Sequence, residues 1–205
     1  SQVRRKPFLQ GLSVAQDPKF QFMGPSVRSG FITYLKGNYR DLDLLNRVWK
    51  ARFPDYDKIE IAFNPQDYGY HLNPGFRYDW QRYQQWMGTQ FLGLMKSWVN
   101  QMDTHIPVGV QVSSDVLAPG EARFGIDREA LAHIMDYSAT AVANSPVSAV
   151  YAMDYPRSSL IYTLLRSFDP DKPIVNAKHV ILKRDDPYGS STYGYVHSVM
   201  WEAAI

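Results

Sequence analysis

Three apolar runs in the second half of the chain most constrain what it can fold into. Val108-Gly-Val-Gln-Val112, Val147-Ser-Ala-Val-Tyr-Ala-Met153 and Ile174-Val-Asn-Ala-Lys-His-Val-Ile181 are continuous where a half-exposed strand would alternate, the pattern of strands covered on both faces. Helical spacing fills the gaps between them. One helix follows Asp127 through Ala130, Leu131, Ile134, Met135 and Ala139, a second spans about Ser159 to Phe168, and Thr192 to Ile205 closes the chain as a third. Alternating strands and helices imply parallel strands joined by right-handed crossovers, with helices outside. The expected fold class is α/β.

The first half reads differently. Residues Ser1 to Gly30 carry Pro7, Pro18 and Pro25 among scattered glycines and read as loop. Phe31, Tyr34, Leu35 and Tyr39 then fall on one helical face, and Leu42, Leu45, Val48 and Trp49 begin a second helix. Asp41 is placed to cap that second helix, because its carboxylate can accept the free amide protons of the first turn. Residues 54–77 form an aromatic-rich loop in which Lys58 to Phe63 is the only strand-like stretch. From Tyr78 to Met102 comes the strongest helix, with Trp80, Tyr83, Met87, Phe91, Leu94, Met95, Trp98 and Met102 spaced by threes and fours as a core stripe.

With 205 residues the chain is expected to be one domain, 1–205. Three strands cannot close a barrel, and a complete (β/α)8 TIM barrel takes about 250 residues, so the expected architecture is a segment of one with parallel strands. The helical pattern at Trp201 to Ile205 has no Gly or Pro stop signal, which reads as a truncated barrel. Such a segment is expected to associate with another copy or with the remainder of its barrel, since open strand edges and an uncovered apolar face favour association.

Composition narrows the chemistry. Twenty-two basic against 20 acidic residues give a net charge of +2, with the basic residues scattered apart from Arg4, Arg5 and Lys6, so no nucleic-acid footprint is present. No apolar run reaches membrane-spanning length. Cysteine is absent, which removes thiol catalysis and thiolate metal sites. The histidines at 71, 105, 133, 179 and 197 lack zinc spacing, and no phosphate-cradling glycine loop occurs, so neither metal nor cofactor is expected. Aromatic residues make up 14% of the chain, a supply of flat faces suited to sugars and equally to a core. Nothing in the sequence assigns a compartment.

Phe31-Ile-Thr-Tyr-Leu-Lys-Gly-Asn-Tyr39 followed by Asp43-Leu-Leu-Asn-Arg-Val-Trp49 resembles the helix pair of family 42 glycoside hydrolases, the β-galactosidase-like members of the clan A barrels. Asp154-Tyr155-Pro156 resembles a strand end of those enzymes, and Lys172 to His179 resembles their seventh strand. The resemblance spans about residues 6 to 205 and implies strand four through helix seven of the barrel. It also implies carbohydrate as the partner and an O-glycosyl hydrolase mechanism of the retaining type. Two glutamates carry that mechanism, an acid/base ending strand four and a nucleophile ending strand seven, about 5–5.5 Å apart.

On this alignment the nucleophile position is Lys178 and the acid/base position falls near Lys6. An ammonium cannot form the glycosyl ester. The four glutamates of the chain, Glu60, Glu121, Glu129 and Glu202, lie at no expected strand end. The acids that do are Asp115 and Asp154, which either hydrogen-bond sugar hydroxyls or cap the loops that follow. Tyr155 and Trp201 are candidates to stack on a pyranose face. Alternation places Asn176 and Lys178 together in the barrel interior, with Lys178 paired to Asp154, and turns His179 toward the helices or the loop rim. Three readings remain: a glycoside hydrolase-like protein acting on β-linked sugars, a non-catalytic sugar-binding or scaffold relative, and an unrelated α/β interaction domain.

Overall fold

A computed structural model describes residues 10–59, 73–113, 125–143, 155–180, 193, 194, 196, 197, 200 and 201. Its elements run β1 (Leu12–Gln16), α1 (Pro25–Asn38), α2 (Leu42–Trp49), a 3-10 turn (Tyr56–Lys58), α3 (Pro74–Met102), β2 (Val108–Ser113), α4 (Arg128–Ile134), β3 (Tyr137–Ala143), α5 (Tyr155–Phe168) and β4 (Ile174–Val180). They group into two compact units. One holds the four strands, α4, α5 and α3 from Leu92 onward; the other holds α1, α2 and α3 as far as Phe91.

In the first unit the strands lie in the order β1-β2-β3-β4, each parallel to its neighbour. The expected parallel α/β arrangement is therefore present, and its strands bury Val108, Val110, Ala139 and Val142 together with Leu131, Ile161 and Leu165 of the helices. Gly109 is required here. A β-carbon at that position would collide with the Tyr137 ring, so only glycine lets the ring lie over β2. Asp136 joins three elements: its carboxylate accepts from the Val108 backbone N–H at 2.9 Å and from Lys96 Nζ at 2.5 Å, while Lys96 also donates to the Ile134 carbonyl at 2.8 Å. Lys172 Nζ donates to the Ala132 and His133 carbonyls at 2.6 and 2.8 Å. Those contacts satisfy free carbonyls at the C-terminal end of α4, where positive charge is favoured.

Two strand assignments change. Leu12–Gln16, expected as loop, is a strand, because its backbone pairs with β2 on either side: Leu12 N–H to Pro107 O at 2.8 Å and Asp17 N–H to Gln111 O at 2.9 Å. Tyr137–Ala143 is also a strand, although its alanines extend a helical pattern, since sheet pairing on both sides outweighs a propensity of a few tenths of a kcal/mol. The expected strand at 147–156 lies outside the described residues except for Tyr155 and Pro156, which open helix α5.

The second unit is an aromatic core. Phe31, Leu35, Leu45, Trp49, Phe76, Trp80 and Tyr83 are buried together, with Phe31 edge-on to Trp80 at 5.0 Å and to Phe76 at 5.8 Å. Such edge-to-face contacts add to simple burial because ring edges are positive and faces negative. Asp41 caps α2 as its position predicts, accepting from Leu44 N–H at 2.7 Å. Asp79 sits inside this apolar setting, only 7% exposed, and accepts from Trp49 Nε1 at 2.7 Å and Tyr39 Oη at 2.5 Å. Burial and the bond to Asp79 push the Tyr39 hydroxyl up to about 12.

The helix expected over Tyr78–Met102 begins four residues earlier, at Pro74. Its stripe divides. Trp80 and Tyr83 are core, but Phe91, Leu94, Trp98 and Met102 are 40–52% exposed while Leu92 and Val99 are buried in their place.

Candidate functional site

In parallel sheets of this class, functional side chains gather at the C-terminal ends of the strands. Register decides which residues share a face there. Gln111, Ala139 and Val175 are neighbours across β2, β3 and β4; Val112, Thr140 and Asn176 are the next row, on the opposite face. Asn176 Nδ2 donates to the Tyr162 hydroxyl of α5 at 2.9 Å, so the row holding Asn176 faces the helices.

A bulge then intervenes. Thr140 pairs with Asn176, yet Ala141 pairs with Lys178, so Ala177 is the extra residue and Lys178 falls beside Ala141 and Ser113. Lys178 thus lies on the face of Gln111, opposite Asn176, and is exposed. The expectation that Asn176 and Lys178 share one face is corrected by this bulge, which inverts strict alternation. A second irregularity in β1 does the same at the other edge: Ser13 pairs with Gly109 and Gln16 with Gln111, three residues against two. Gln16, Gln111 and Lys178 therefore occupy one face near the C-terminal edge of the sheet.

Two polar groups, on Asp17 and Gln111, lack hydrogen-bond partners among the described residues. Asp17, directly after β1, has φ of 44°, the left-handed region that Asp tolerates better than most residues. Its Oδ1 is buried without a hydrogen bond, and so is Nε2 of Gln111, a residue only 5% exposed. Burying an unsatisfied donor or acceptor costs about 1–3 kcal/mol. One is an acceptor and the other a donor, and the two residues are joined through the Asp17 N–H to Gln111 O bond.

Sequence reasoning missed Asp17 because Gly11 and Pro18 framed Leu12–Gln16 as loop, and missed Gln111 because it sat within an apolar run. The usable signal was a short run between Gly and Pro ending in an acid. Lys6, Asp115 and Asp154 lie outside the described residues. Tyr155 begins α5, and His179 pairs with Val142 in β4. Trp201 is 62% exposed; its Nε1 donates to His197 Nε2 at 3.0 Å, and Tyr193 stacks on His197, so these aromatic residues engage one another along their own helix. Among the described residues no three His, Cys, Asp or Glu come together as a metal cluster, and no helix is long and apolar enough to cross a membrane.

Parallel strands with helical crossovers and polar residues at the strand ends define a portion of a (β/α)8 barrel. The family 42 glycoside hydrolase model, described as beta-galactosidase, matches residues 4–173, and the chain belongs to that family. Among solved structures it is similar to an exo-carrageenase of the same family from Bacteroides ovatus, with 17% identity, TM-score 0.70, and coverage of 88% of this chain and 26% of that one. It is also similar to a beta-galactosidase from Rahnella sp. R3, at 18% identity, TM-score 0.69, and 87% and 26% coverage. A third match is a beta-galactosidase from Bacillus circulans sp. alkalophilus, at 17% identity, TM-score 0.61, and 82% and 24% coverage. The chain thus spans about a quarter of these structures, a partial barrel. No curated protein sequence matches it.

Proposed function

We propose that this glycoside hydrolase-like protein binds β-linked galactosides at the C-terminal edge of its sheet without hydrolysing them by the family's double displacement. The observation that carries this reading is Lys178. If β4 corresponds to strand seven, the side chain ending it on the face of Gln111 is an ammonium, which offers no carboxylate to attack the anomeric carbon. Its positive charge would also oppose a developing oxocarbenium ion.

Counting back from β4 makes β1 strand four. Its end is Gln16-Asp17, so on this reading Asp17 takes the position that the sequence alignment gave to Lys6. A single carboxylate then remains of the two that the mechanism needs. Asp17 Oδ1 and Gln111 Nε2, which have no hydrogen-bond partner among the described residues, would accept from and donate to neighbouring sugar hydroxyls.

The test combines calorimetric titration with an assay of aryl-galactoside cleavage on the intact protein. A neutral β-galactoside should bind, Asp17→Asn and Gln111→Ala should each weaken binding about tenfold, and no aryl alcohol should be released. Cleavage that is abolished by Asp17→Asn would overturn the non-hydrolytic reading; absence of galactoside binding would overturn the sugar site itself.

A further inference from the structure

We infer a second carbohydrate site, specific for an anionic saccharide, in the groove at the C-terminal end of α2. The groove is shallow and largely open to solvent, and is lined by Asp43, Asn46, Arg47, Lys50, Ala51, Arg52 and Phe53.

Its shape is held by specific bonds. Asn46 clamps the backbone of Phe53 in both directions, Nδ2 donating to the Phe53 carbonyl and Oδ1 accepting from the Phe53 N–H, each at 2.9 Å. Ala51 N–H donates to the Asn46 carbonyl at 2.8 Å. The chain therefore folds back over the end of α2, and the Phe53 ring sits edge-on to buried Trp49 at 6.2 Å. Lys50 occupies the helix-terminating left-handed position, φ 53°, where glycine is the default residue. Lys50 is one of three cations that line the groove.

Arg47, Lys50 and Arg52 are all exposed, and none forms an ion pair among the described residues. Asp43 stands one turn before Arg47 on the same helix, the spacing of an i,i+4 pair, yet the two are not bonded. Three cations and one carboxylate leave a net charge of +2, partly offset by the negative pole at the C-terminal end of α2. Guanidinium forks match the paired oxygens of a sulfate or carboxylate. Asp43 repels a bare anion, and it is the group that accepts from hydroxyls; Phe53 supplies an apolar wall for a C–H face. A ligand that uses all of these carries hydroxyls and an oxyanion together, as a sulfated or carboxylated sugar does.

This inference takes saccharide chemistry from the family but uses no residue at the strand ends. The intact protein is titrated with a sulfated galacto-oligosaccharide, its desulfated counterpart, a uronate-containing oligosaccharide and inorganic sulfate. An anionic oligosaccharide should bind at least tenfold more tightly than the desulfated one and weaken as salt rises. The Arg47→Gln/Arg52→Gln double variant should lose that advantage while retaining the binding of neutral β-galactoside and the wild-type circular dichroism spectrum. The sulfated and uronate arms decide which oxyanion is preferred. Equal binding of charged and neutral sugars, indifference to the double variant, or inorganic sulfate binding as tightly as the sulfated sugar would each overturn the proposal. Retention of anionic binding alongside absent neutral binding would leave this site standing and remove only the strand-end site.

Discussion

Asp79 illustrates how one buried polar residue organises its surroundings. Its carboxylate is enclosed by aromatic residues yet meets two donors, Trp49 Nε1 and Tyr39 Oη. Replacement by alanine leaves both donors buried without an acceptor, so Asp79→Ala should destabilise the protein by about 2–4 kcal/mol in urea unfolding. Tyr39 adds a pH dependence. Its folded pKa, about 12, exceeds the unfolded value of 10.0, so the folded state keeps its proton where the unfolded state loses it. The resulting stability is fully present below pH 10 and declines from pH 10 to 12. Tyr39→Phe should flatten that alkaline limb, measured by thermal melts across the same window, and an unchanged limb would exclude Tyr39 as its source.

At the scale of elements, the structure separates what periodicity encodes from what pairing supplies. Helices α2, α3 and α5 and strands β2 and β4 were legible because each has enough residues for its period to emerge. Strands β1 and β3 were not. Five residues between Gly11 and Pro18 carry too little pattern, and the alanines of Tyr137–Ala143 suit a helix until neighbours on both sides supply ladder bonds. The bulge beside Ala177 was invisible for the same reason, since register is a property of two strands. It moved Lys178 to the face opposite Asn176, so the identity of the candidate residue was legible and its orientation was not.

The Lys96–Asp136 contact tests how far these elements depend on one another. Burial alone would raise Asp136, but the bond from Lys96 and the Val108 N–H outweigh it and hold its carboxyl below the ordinary value. A depressed folded pKa contributes stability present above the unfolded pKa near 3.8 and lost as pH falls through the folded value. Asp136→Asn should therefore lower stability by about 1 kcal/mol at neutral pH and reduce the loss below pH 4, followed by urea unfolding at each pH. Equal acid sensitivity in the variant would place the acid limb elsewhere.

The chain spans about a quarter of the barrel enzymes it resembles, and its sheet is part of a barrel. Among the described strands, β1 and β4 each have one neighbour, so each presents an edge. On β4, Val175 is 41% exposed, and the α3 residues Leu94, Trp98 and Met102 stand outward at helical spacing. The hydrophobic stripe of α3 is apolar as its spacing predicts, yet its outer residues are exposed, because periodicity reports which face is apolar and only neighbouring chain decides what covers it. We propose that the 205-residue chain self-associates through these surfaces. Sedimentation velocity should show mass increasing with concentration, and Leu94→Lys/Trp98→Glu should shift the chain toward monomer without loss of helical circular dichroism. Exposed strand edges and outward apolar residues favour a partner that buries them. A chain that stays monomeric and still unfolds cooperatively would mean that the described sheet and helices are stable with both left open.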